Sequence, residues 1–248
     1  MSALLGELRT LIAQEGPIDV ARYMALCLGH PRHGYYMKQD PFGAAGDFTT
    51  APEISQMFGE LLGLWAVEVW AAMGRPSPCL LVELGPGRGT LLRDALRAAR
   101  VVPAARAAFA VHCVETSPVL RSVQARTLAG EVAPVWHDDL DGIPEGPAIV
   151  LANEFLDALP LRQFVATPEG WRERLVGLGP DGGLAFGLSA QPHPGLAPPA
   201  PVGTVLEAPG AALAAVSALA RRLAGQGGAA LLIDYGSPRS GLGDTLQA

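Results

Sequence analysis

The chain has 248 residues, enough for one substantial core, and its 49% hydrophobic content excludes a disordered polypeptide. The formal net charge of −6 argues against nucleic acid as the main partner, because phosphate contacts need clustered Lys and Arg. No apolar run approaches the roughly 20 residues that span a membrane, and the N-terminus does not resemble a secretory signal. The lack of a long apolar run also predicts no membrane partner. The three cysteines lack metal-ligand spacing, so we expect reduced thiols and no metal.

The N-terminal part is predicted to contain two helices followed by a long loop. Leucines at helical spacing predict a first helix that ends at Gly16-Pro17, and Asp19 is placed to cap a second helix. The stretch 29–50 has no periodicity and many turn residues, which indicates a loop of a length that is often functional. We expect Asp47, Thr49 and Thr50 to close over a bound donor molecule, and Tyr35 and Tyr36 to line a channel for its acceptor.

A long helix is predicted from about Pro52 to Met73. Thr50 and Glu53 have the spacing of a capping box, and Pro52 lies in the first turn. This pattern favours a capping role for Glu53 over a catalytic one. The helix is expected to bury one apolar stripe, which consists of Ile54, Phe58, Leu61, Leu62, Trp65 and Val69.

Strands and helices alternate after this helix, which predicts an α/β fold with a mainly parallel sheet. Ligands of such sheets bind beyond the carboxyl ends of the strands. Between residues 161 and 190 the period becomes two, which indicates two or three antiparallel strands, and a Pro-rich connector follows. The strands are predicted at 79–84, 109–114, 132–136, 148–152 and 229–233, and the helices at about 90–99, 118–129 and 211–224.

The composition and periodicity divide the chain into four stretches. A helical extension with a lid loop occupies residues 1–75, and a ligand-binding core of the Rossmann-like type occupies 76–160. The small antiparallel insertion and its Pro-rich connector fill 161–205, and the end of the core fills 206–248. This order predicts one parallel-sheet domain that carries additions.

The sharpest motif is a glycine-rich segment that follows a predicted strand and opens a helix. Gly85, Gly87 and Gly89 let the backbone pass close to a ligand, and the helix N-terminus favours negative charge. A dinucleotide site would read G-x-G-x-x-G, whereas the third glycine here comes one residue early. Glu83 would repel a pyrophosphate but attract the α-ammonium of S-adenosylmethionine, directly or through water. We predict S-adenosyl-L-methionine as the cofactor, with NAD or FAD, or a plain tight turn, as alternatives.

Acidic residues follow the next two predicted strands. Glu115 ends the second strand, where a carboxylate can accept hydrogen bonds from both ribose hydroxyls. The alternative for Glu115 is a helix-capping or surface acid. Asp138 and Asp139 follow the third strand, where one acid is expected to accept from the adenine amino group, and the alternative is a solvated loop.

The segment after the fourth strand holds the candidate chemical residues. Methyl transfer is an in-line displacement, so the enzyme needs groups that position and deprotonate the nucleophile. Carboxylates hold a guanidinium as a bidentate fork. Glu154 and Asp157 lie three residues apart, so a single helical turn would project them in similar directions. We predict both, with Asn153, as the acceptor clamp; the alternative is that Asn153 and Asp157 only cap the turn.

Several segments together are similar to the MidA family of methyltransferases. The resemblance implies a class I, S-adenosylmethionine-dependent protein arginine methyltransferase that symmetrically dimethylates a respiratory complex I subunit at the quinone site and aids complex I assembly. It also implies that Gly85, Gly87, Gly89 and Glu115 bind the donor, while the acceptor role of Glu154 and Asp157 is our own inference. The matching segments cover about residues 29–248: GHPRHGYY, GDFTTAPEISQMFGE, VELGPGRGT, VETSP, NEFLDALP and LIDYG followed by DTLQA.

The resemblance further implies a cytoplasmic location in a bacterium and the mitochondrial matrix for eukaryotic relatives. Members of the family continue beyond a DTLQA-like segment, so we expect this chain to be truncated relative to the family. Two other functions fit the same sequence. One is a non-catalytic assembly chaperone with a retained methyltransferase fold, and the other is a methyltransferase for a different acceptor.

Overall fold

The computed structural model describes residues 3–38, 41, 47, 49–236 and 241–246. Its contacts divide the chain into two compact units. The insertion unit joins residues 1–35, 158–214 and 236–248, and the parallel-sheet unit joins residues 36–157 and 215–235. The contacts therefore group the N-terminal helices with the antiparallel insertion, whereas the four predicted stretches follow the order of the chain.

The described residues form helices and strands in the order that the periodicity predicts, with several short additions. In chain order they are α1 (Ala3–Glu15), β1 (Ile18–Asp19), α2 (Val20–Gly29), α3 (Tyr35–Lys38), α4 (Ala51–Ile54), α5 (Gln56–Ala72), β2 (Cys79–Leu84), α6 (Thr90–Ala99), α7 (Pro103–Ala108), β3 (Phe109–Val114), α8 (Pro118–Leu128), β4 (Val135–His137), β5 (Ala148–Asn153), β6 (Arg162–Thr167), β7 (Gly170–Leu178), β8 (Leu184–Leu188), β9 (Val205–Ala208), α9 (Gly210–Gln226) and β10 (Gly228–Ile233).

The insertion unit is built on an antiparallel sheet in the order β1-β7-β6-β9, with β8 also paired to β7. Asp19 caps α2 as predicted, because its carboxylate accepts a hydrogen bond of 2.7 Å from the Arg22 amide. Leu8 and Ile12 of α1 are buried in one cluster with Ile18 and Val176. Asp244 is also bound to this sheet, because its carboxylate accepts hydrogen bonds from Arg174 of β7 and Gln163 of β6.

The parallel-sheet unit contains strands in the order β10-β5-β2-β3-β4, and all neighbouring pairs are parallel. The chain moves outward from β2 to β3 and β4, then returns to the other side of β2 as β5 and β10. This reversal creates a topological switch point beside β2, the place where ligands bind in open α/β sheets. Apolar clusters fill both faces, one under α5 and α6 and one that includes Leu219 of α9. The predicted class I methyltransferase fold, with an antiparallel addition, is confirmed.

The long helix predicted over residues 52–73 is two helices. Ser55 has extended backbone angles and separates α4 from α5. The predicted buried stripe is wrong at two positions, since Ile54 and Leu61 are 72% and 61% exposed. Helix α5 instead buries Gly59 and Gly63 against α6, where a Cβ on Gly63 would lie 2.4 Å from the Ala95 carbonyl oxygen. Close backbone approach thus decided which face turned inward.

Candidate donor and acceptor site

The carboxyl ends of the parallel strands meet at one edge of the sheet. The register pairs Leu84, the last residue of β2, with Val114 of β3 and Ala152 of β5. Three backbone hydrogen bonds continue the alignment just past the strands: Gly85 N to Val114 O, Glu115 N to His137 O and Glu154 N to Ile233 O, at 3.0, 3.0 and 2.8 Å. The predicted site residues that follow these strands are therefore brought to the same edge.

The glycine loop has a backbone that only glycine adopts easily. Gly85, Gly87 and Gly89 have φ angles of 61°, 51° and 80°, in the left-handed region. Space is also limited at Gly85, where a Cβ would lie 2.9 Å from the Phe155 ring. Gly89 forms the N-cap of α6. The loop therefore leads the chain tightly from β2 into a helix N-terminus.

Glu83 lies at the base of this loop and is almost completely buried. Its Oε2 atom has no hydrogen-bond partner within the described part of the chain. Burial raises the pKa of Glu83 to about 8, although a hydrogen bond with the Leu92 backbone opposes the shift. A buried carboxyl oxygen without a partner fits a cationic ligand group, such as the α-ammonium that the sequence predicts for this position.

Glu115 follows β3 and is also buried. Its Oε1 accepts from the Ser117 amide at 2.8 Å, and its Oε2 accepts from Gln124 Nε2 at 3.1 Å. Burial raises the pKa of Glu115, and these hydrogen bonds oppose the rise. A carboxylate has about four acceptor positions, so each oxygen can still accept a ribose hydroxyl. We call Glu83, Gly85, Gly87, Gly89 and Glu115 together the donor cradle.

The two candidate adenine acids are both exposed and both engaged in local bonds. Asp138 accepts from Arg121 at 2.7 Å, and Asp139 accepts from the Gly142 amide at 2.9 Å. Arg121 also donates to the backbone oxygen of Glu115 through Nε and Nη2. The ends of β3 and β4 are thereby tied together, and the adenine contact of either aspartate stays a prediction.

The predicted helical turn after β5 is not formed. Glu154 has a φ of 49°, which lies in the left-handed region and outside helical geometry. Burial raises the pKa of Glu154, and the negative charges of Asp157 and Asp234 raise it further. The three carboxylates are therefore close enough for Glu154 to interact with both aspartates. A hydrogen bond from the Asn153 side chain acts in the opposite direction. We call residues 153–157 with Asp234 the acceptor turn.

Asp234, which sequence reasoning missed, supplies the cap of this turn. Its Oδ2 accepts from the amides of Leu156 and Asp157 at 2.9 and 3.1 Å. The capping role considered for Asn153 and Asp157 thus belongs to a residue 77 positions further along the chain. Its position directly after the strand predicted over 229–233 was the signal that could have identified it.

Tyr36 connects the two halves of the site. Burial raises the pKa of its hydroxyl, and the charges of Asp157, Glu154 and Glu115 raise it further. The Tyr36 carbonyl also accepts a 2.7 Å hydrogen bond from the Ser117 hydroxyl. Tyr36 therefore lies within electrostatic range of Glu115 and of the acceptor turn, and the predicted role of Tyr35 and Tyr36 in an acceptor channel stays a prediction.

Other predictions for the N-terminal loop have mixed outcomes. Thr50 is the N-cap residue of α4 but makes no side-chain capping bond, so the predicted capping box is wrong. Glu53 instead accepts from Thr90 Oγ1 at 2.5 Å and from Arg88 at 3.3 Å, which ties it to the glycine loop. Sequence reasoning missed these contacts of Glu53 because its spacing from Thr50 matched a capping box. Asp47 is exposed, most of its loop lies outside the described residues, and its donor contact stays a prediction.

The described residues have the pattern of neither a metal centre nor a membrane span, as two features show. They contain no group of three or more His, Cys, Asp or Glu that could hold a metal ion. No helix among them is both long and apolar enough to cross a membrane.

The strand order and the glycine loop define a class I methyltransferase domain, and a family model agrees. The model of the family described as "Putative S-adenosyl-L-methionine-dependent methyltransferase" matches residues 61–248. The chain belongs to this family. The prediction of S-adenosyl-L-methionine as the cofactor is confirmed at the level of the family, and the unpartnered Glu83 oxygen and the glycine backbone fit it.

Named relatives support the resemblance to the MidA family. The chain is 41% identical to the zebrafish (Danio rerio) mitochondrial protein arginine methyltransferase NDUFAF7, over 94% of this chain and 62% of the relative. It is 39% identical to the human protein of that name, over 95% of this chain and 60% of the relative. The chain thus spans about 60% of the length of these curated relatives, and the MidA resemblance is confirmed.

Two solved structures from Burkholderia thailandensis are also similar. One is a COG1565 superfamily member bound to S-adenosyl-homocysteine, with a TM-score of 0.75 at 30% identity, covering 89% of this chain and 59% of that one. The other is a native structure of a protein of that superfamily, with a TM-score of 0.76 at 31% identity, covering 96% of this chain and 62% of that one.

Proposed function

We propose that this chain forms the donor-binding and acceptor-holding part of a protein arginine methyltransferase. Its substrate would be an arginine on the complex I subunit that helps to form the quinone site, with symmetric dimethylation aiding complex I assembly. In a bacterium this reaction would take place in the cytoplasm. Relatives named as protein arginine methyltransferases support the acceptor type.

The observation that carries the proposal is the excess of negative charge at the acceptor turn. Burial raises the pKa of Glu154, and the negative charges of Asp157 and Asp234 raise it further. A guanidinium would relieve this repulsion, because it is permanently charged and binds carboxylates through paired donors. A neutral small-molecule acceptor would leave the repulsion in place.

The proposed reaction assigns separate tasks to the carboxylates. Glu154 and Asp157 hold the guanidinium so that one terminal nitrogen faces the donor methyl. The nitrogen–carbon bond forms as the sulfur–carbon bond breaks, and the nitrogen then loses one proton to a carboxylate. Asp234 binds the backbone of the turn and thereby fixes Asp157. The bound donor supplies an electrophilic methyl group and leaves as S-adenosylhomocysteine.

The test is transfer of tritiated methyl groups from S-adenosylmethionine to the purified quinone-site subunit, followed by mass spectrometry of the modified peptide. We expect label on one arginine, which is lost when that arginine is replaced by lysine. Label on another residue would overturn arginine specificity. Stable binding of the subunit without any label would favour the assembly chaperone.

A further inference from the structure

The helix beside the donor cradle carries one polar side chain on its buried face. Leu120, Gln124 and Leu128 of α8 are spaced one turn apart, and each is at most 2% exposed. A buried amide in such a stripe is costly unless all of its hydrogen-bonding groups have partners. Its partners therefore indicate why a glutamine is found among leucines.

Both N–H groups and the carbonyl oxygen of the Gln124 amide have hydrogen-bond partners. Nε2 donates to the Gly87 carbonyl at 2.8 Å and to Glu115 Oε2 at 3.1 Å. Oε1 accepts from the indole Nε1 of Trp136 at 2.8 Å. The indole can only donate, which fixes the oxygen toward Trp136 and turns the NH2 group toward the two acceptors. The orientation of the amide thus follows from the chemistry of its neighbours.

These three partners belong to three separate segments of the site. Gly87 is in the glycine loop after β2, Glu115 follows β3, and Trp136 is in β4. The helix also lies close to the loop, because a Cβ on Gly89 would be 3.5 Å from the Gln124 Cα. A single neutral side chain therefore links the loop, the candidate ribose acid and the outer strand.

We propose that Gln124 is a positioning residue for the methyl donor, which fixes the Glu115 carboxylate and the Gly87 backbone in their ligand-binding arrangement. This inference rests on the proposed function, since it assumes that Glu115 accepts the ribose hydroxyls. With Ser117 on Oε1 and Gln124 on Oε2, the carboxylate plane is held from both sides. The ordering cost is then met during folding, and the ligand binds more tightly.

Calorimetric titration of Gln124→Met tests the proposal, because methionine keeps the length of the side chain and removes all three hydrogen bonds. We expect S-adenosylhomocysteine to bind roughly 10- to 100-fold more weakly, as for the loss of hydrogen bonds to a charged group. A second ligand, the 2′-deoxy analogue of S-adenosylhomocysteine, separates positioning from general damage. In the wild type the analogue should bind about tenfold more weakly than the parent ligand.

In Gln124→Met this preference for the 2′-hydroxyl should fall toward one, because the two losses act on the same carboxylate and are not additive. Leu128→Ala is the matched control on the same face of α8. It should lower the melting temperature through the cavity it creates, with an unchanged preference for the 2′-hydroxyl. If Gln124→Met does not fold, Trp136→Phe removes only the bond to Oε1 and should reduce the same preference.

The outcomes separate the two proposals. A wild-type chain that binds neither ligand overturns the donor site and this inference together. A wild type that binds both ligands while Gln124→Met keeps the full 2′-hydroxyl preference leaves the donor site intact and overturns the positioning role. A preference that collapses in Gln124→Met and persists in Leu128→Ala supports it.

Discussion

The donor cradle and the acceptor turn lie at the same edge of one sheet but surround their carboxylates with different groups. In the donor cradle, the Glu115 carboxylate accepts hydrogen bonds from neutral donors, and both of its oxygens have protein partners. In the acceptor turn, Glu154 has two carboxylates as its charged neighbours. Glu115 is thus satisfied within the protein, whereas the acceptor turn is short of positive charge.

The difference indicates what each region binds. Neutral ribose hydroxyls can bind Glu115 without changing the local charge, so this carboxylate can be fixed in advance by the fold. A group of like-charged carboxylates stores repulsion that a bound cation relieves. The donor side is therefore expected to depend on backbone shape, and the acceptor side on charge. Substitutions on each side should therefore affect donor affinity and methyl transfer separately.

Gly87→Val should break the donor side alone. Valine is strongly disfavoured at a φ of 51°, and its side chain would fill the space where the backbone meets the ligand. We expect donor affinity to fall by more than about 100-fold in calorimetric titration with S-adenosylhomocysteine. Gly130→Ala is the control, because a Cβ at Gly130 meets nothing within 4 Å. Unchanged affinity in Gly87→Val would remove the loop from the donor site.

Glu154→Gln should break the acceptor side alone. The substitution removes a charge and a proton acceptor while keeping the shape, so the single-turnover methylation rate should fall by about 100-fold or more. Binding of S-adenosylhomocysteine should stay within about twofold of the wild type. Glu145→Gln, at an exposed acid of the same unit, serves as the control. Equal rates in wild type and Glu154→Gln would exclude this carboxylate from catalysis.

Glu83 should make the stability of the donor-free protein depend on pH. Burial raises its pKa from 4.5 to about 8, so between these values the folded state retains a proton that the unfolded state has released. The free energy of unfolding therefore decreases as the pH rises through this window. Urea denaturation should show that the free energy of unfolding decreases from pH 5 to pH 8. This decrease should be larger in wild type than in Glu83→Gln by more than about 1 kcal/mol.

Comparing the two proteins isolates Glu83, because His112 and His137, whose pKa values are lowered by burial, titrate in both. Identical pH dependence of stability would show that Glu83 is ionised in the donor-free fold. If Glu83 is protonated in the donor-free protein, donor binding at pH 7 should release a proton, since a cation at Oε2 favours the ionised form of Glu83.

Glu53→Gln should weaken the donor side least. It removes the charge that holds Arg88 and weakens the bond to Thr90, so the glycine loop loses an external support. We expect less than about a tenfold loss of donor affinity, with the methylation rate at saturating donor unchanged. Glu68→Gln on the exposed face of α5 is the control. A full loss of activity would mean that Glu53 acts on the substrate directly.

Periodicity identified the elements that pack by hydrophobic pattern, and it failed where shape took precedence. The strands over 79–84 and 109–114 were predicted to the residue, because continuous apolar runs bounded by turns have few alternatives. A single helix was predicted with Ile54 and Leu61 on its buried face, since apolar side chains usually point inward. Gly59 and Gly63 allow α5 a closer contact with α6 than any large side chain, and this contact leaves Leu61 outside. Ile54 lies in the separate helix α4 and is also exposed.

The order of strands and helices, the glycine loop and the acids that follow each strand could be predicted from the sequence, because they depend on local pattern and on the direction of parallel strands. Only the tertiary structure revealed the roles of Asp234, Glu53 and Gln124. Each of them acts on a segment that is distant in sequence: Asp234 on the turn at 156–157, Glu53 on the start of α6 and Gln124 on the glycine loop. Hydrogen bonds of this kind leave no periodic trace, since the partner is chosen by proximity in the folded chain.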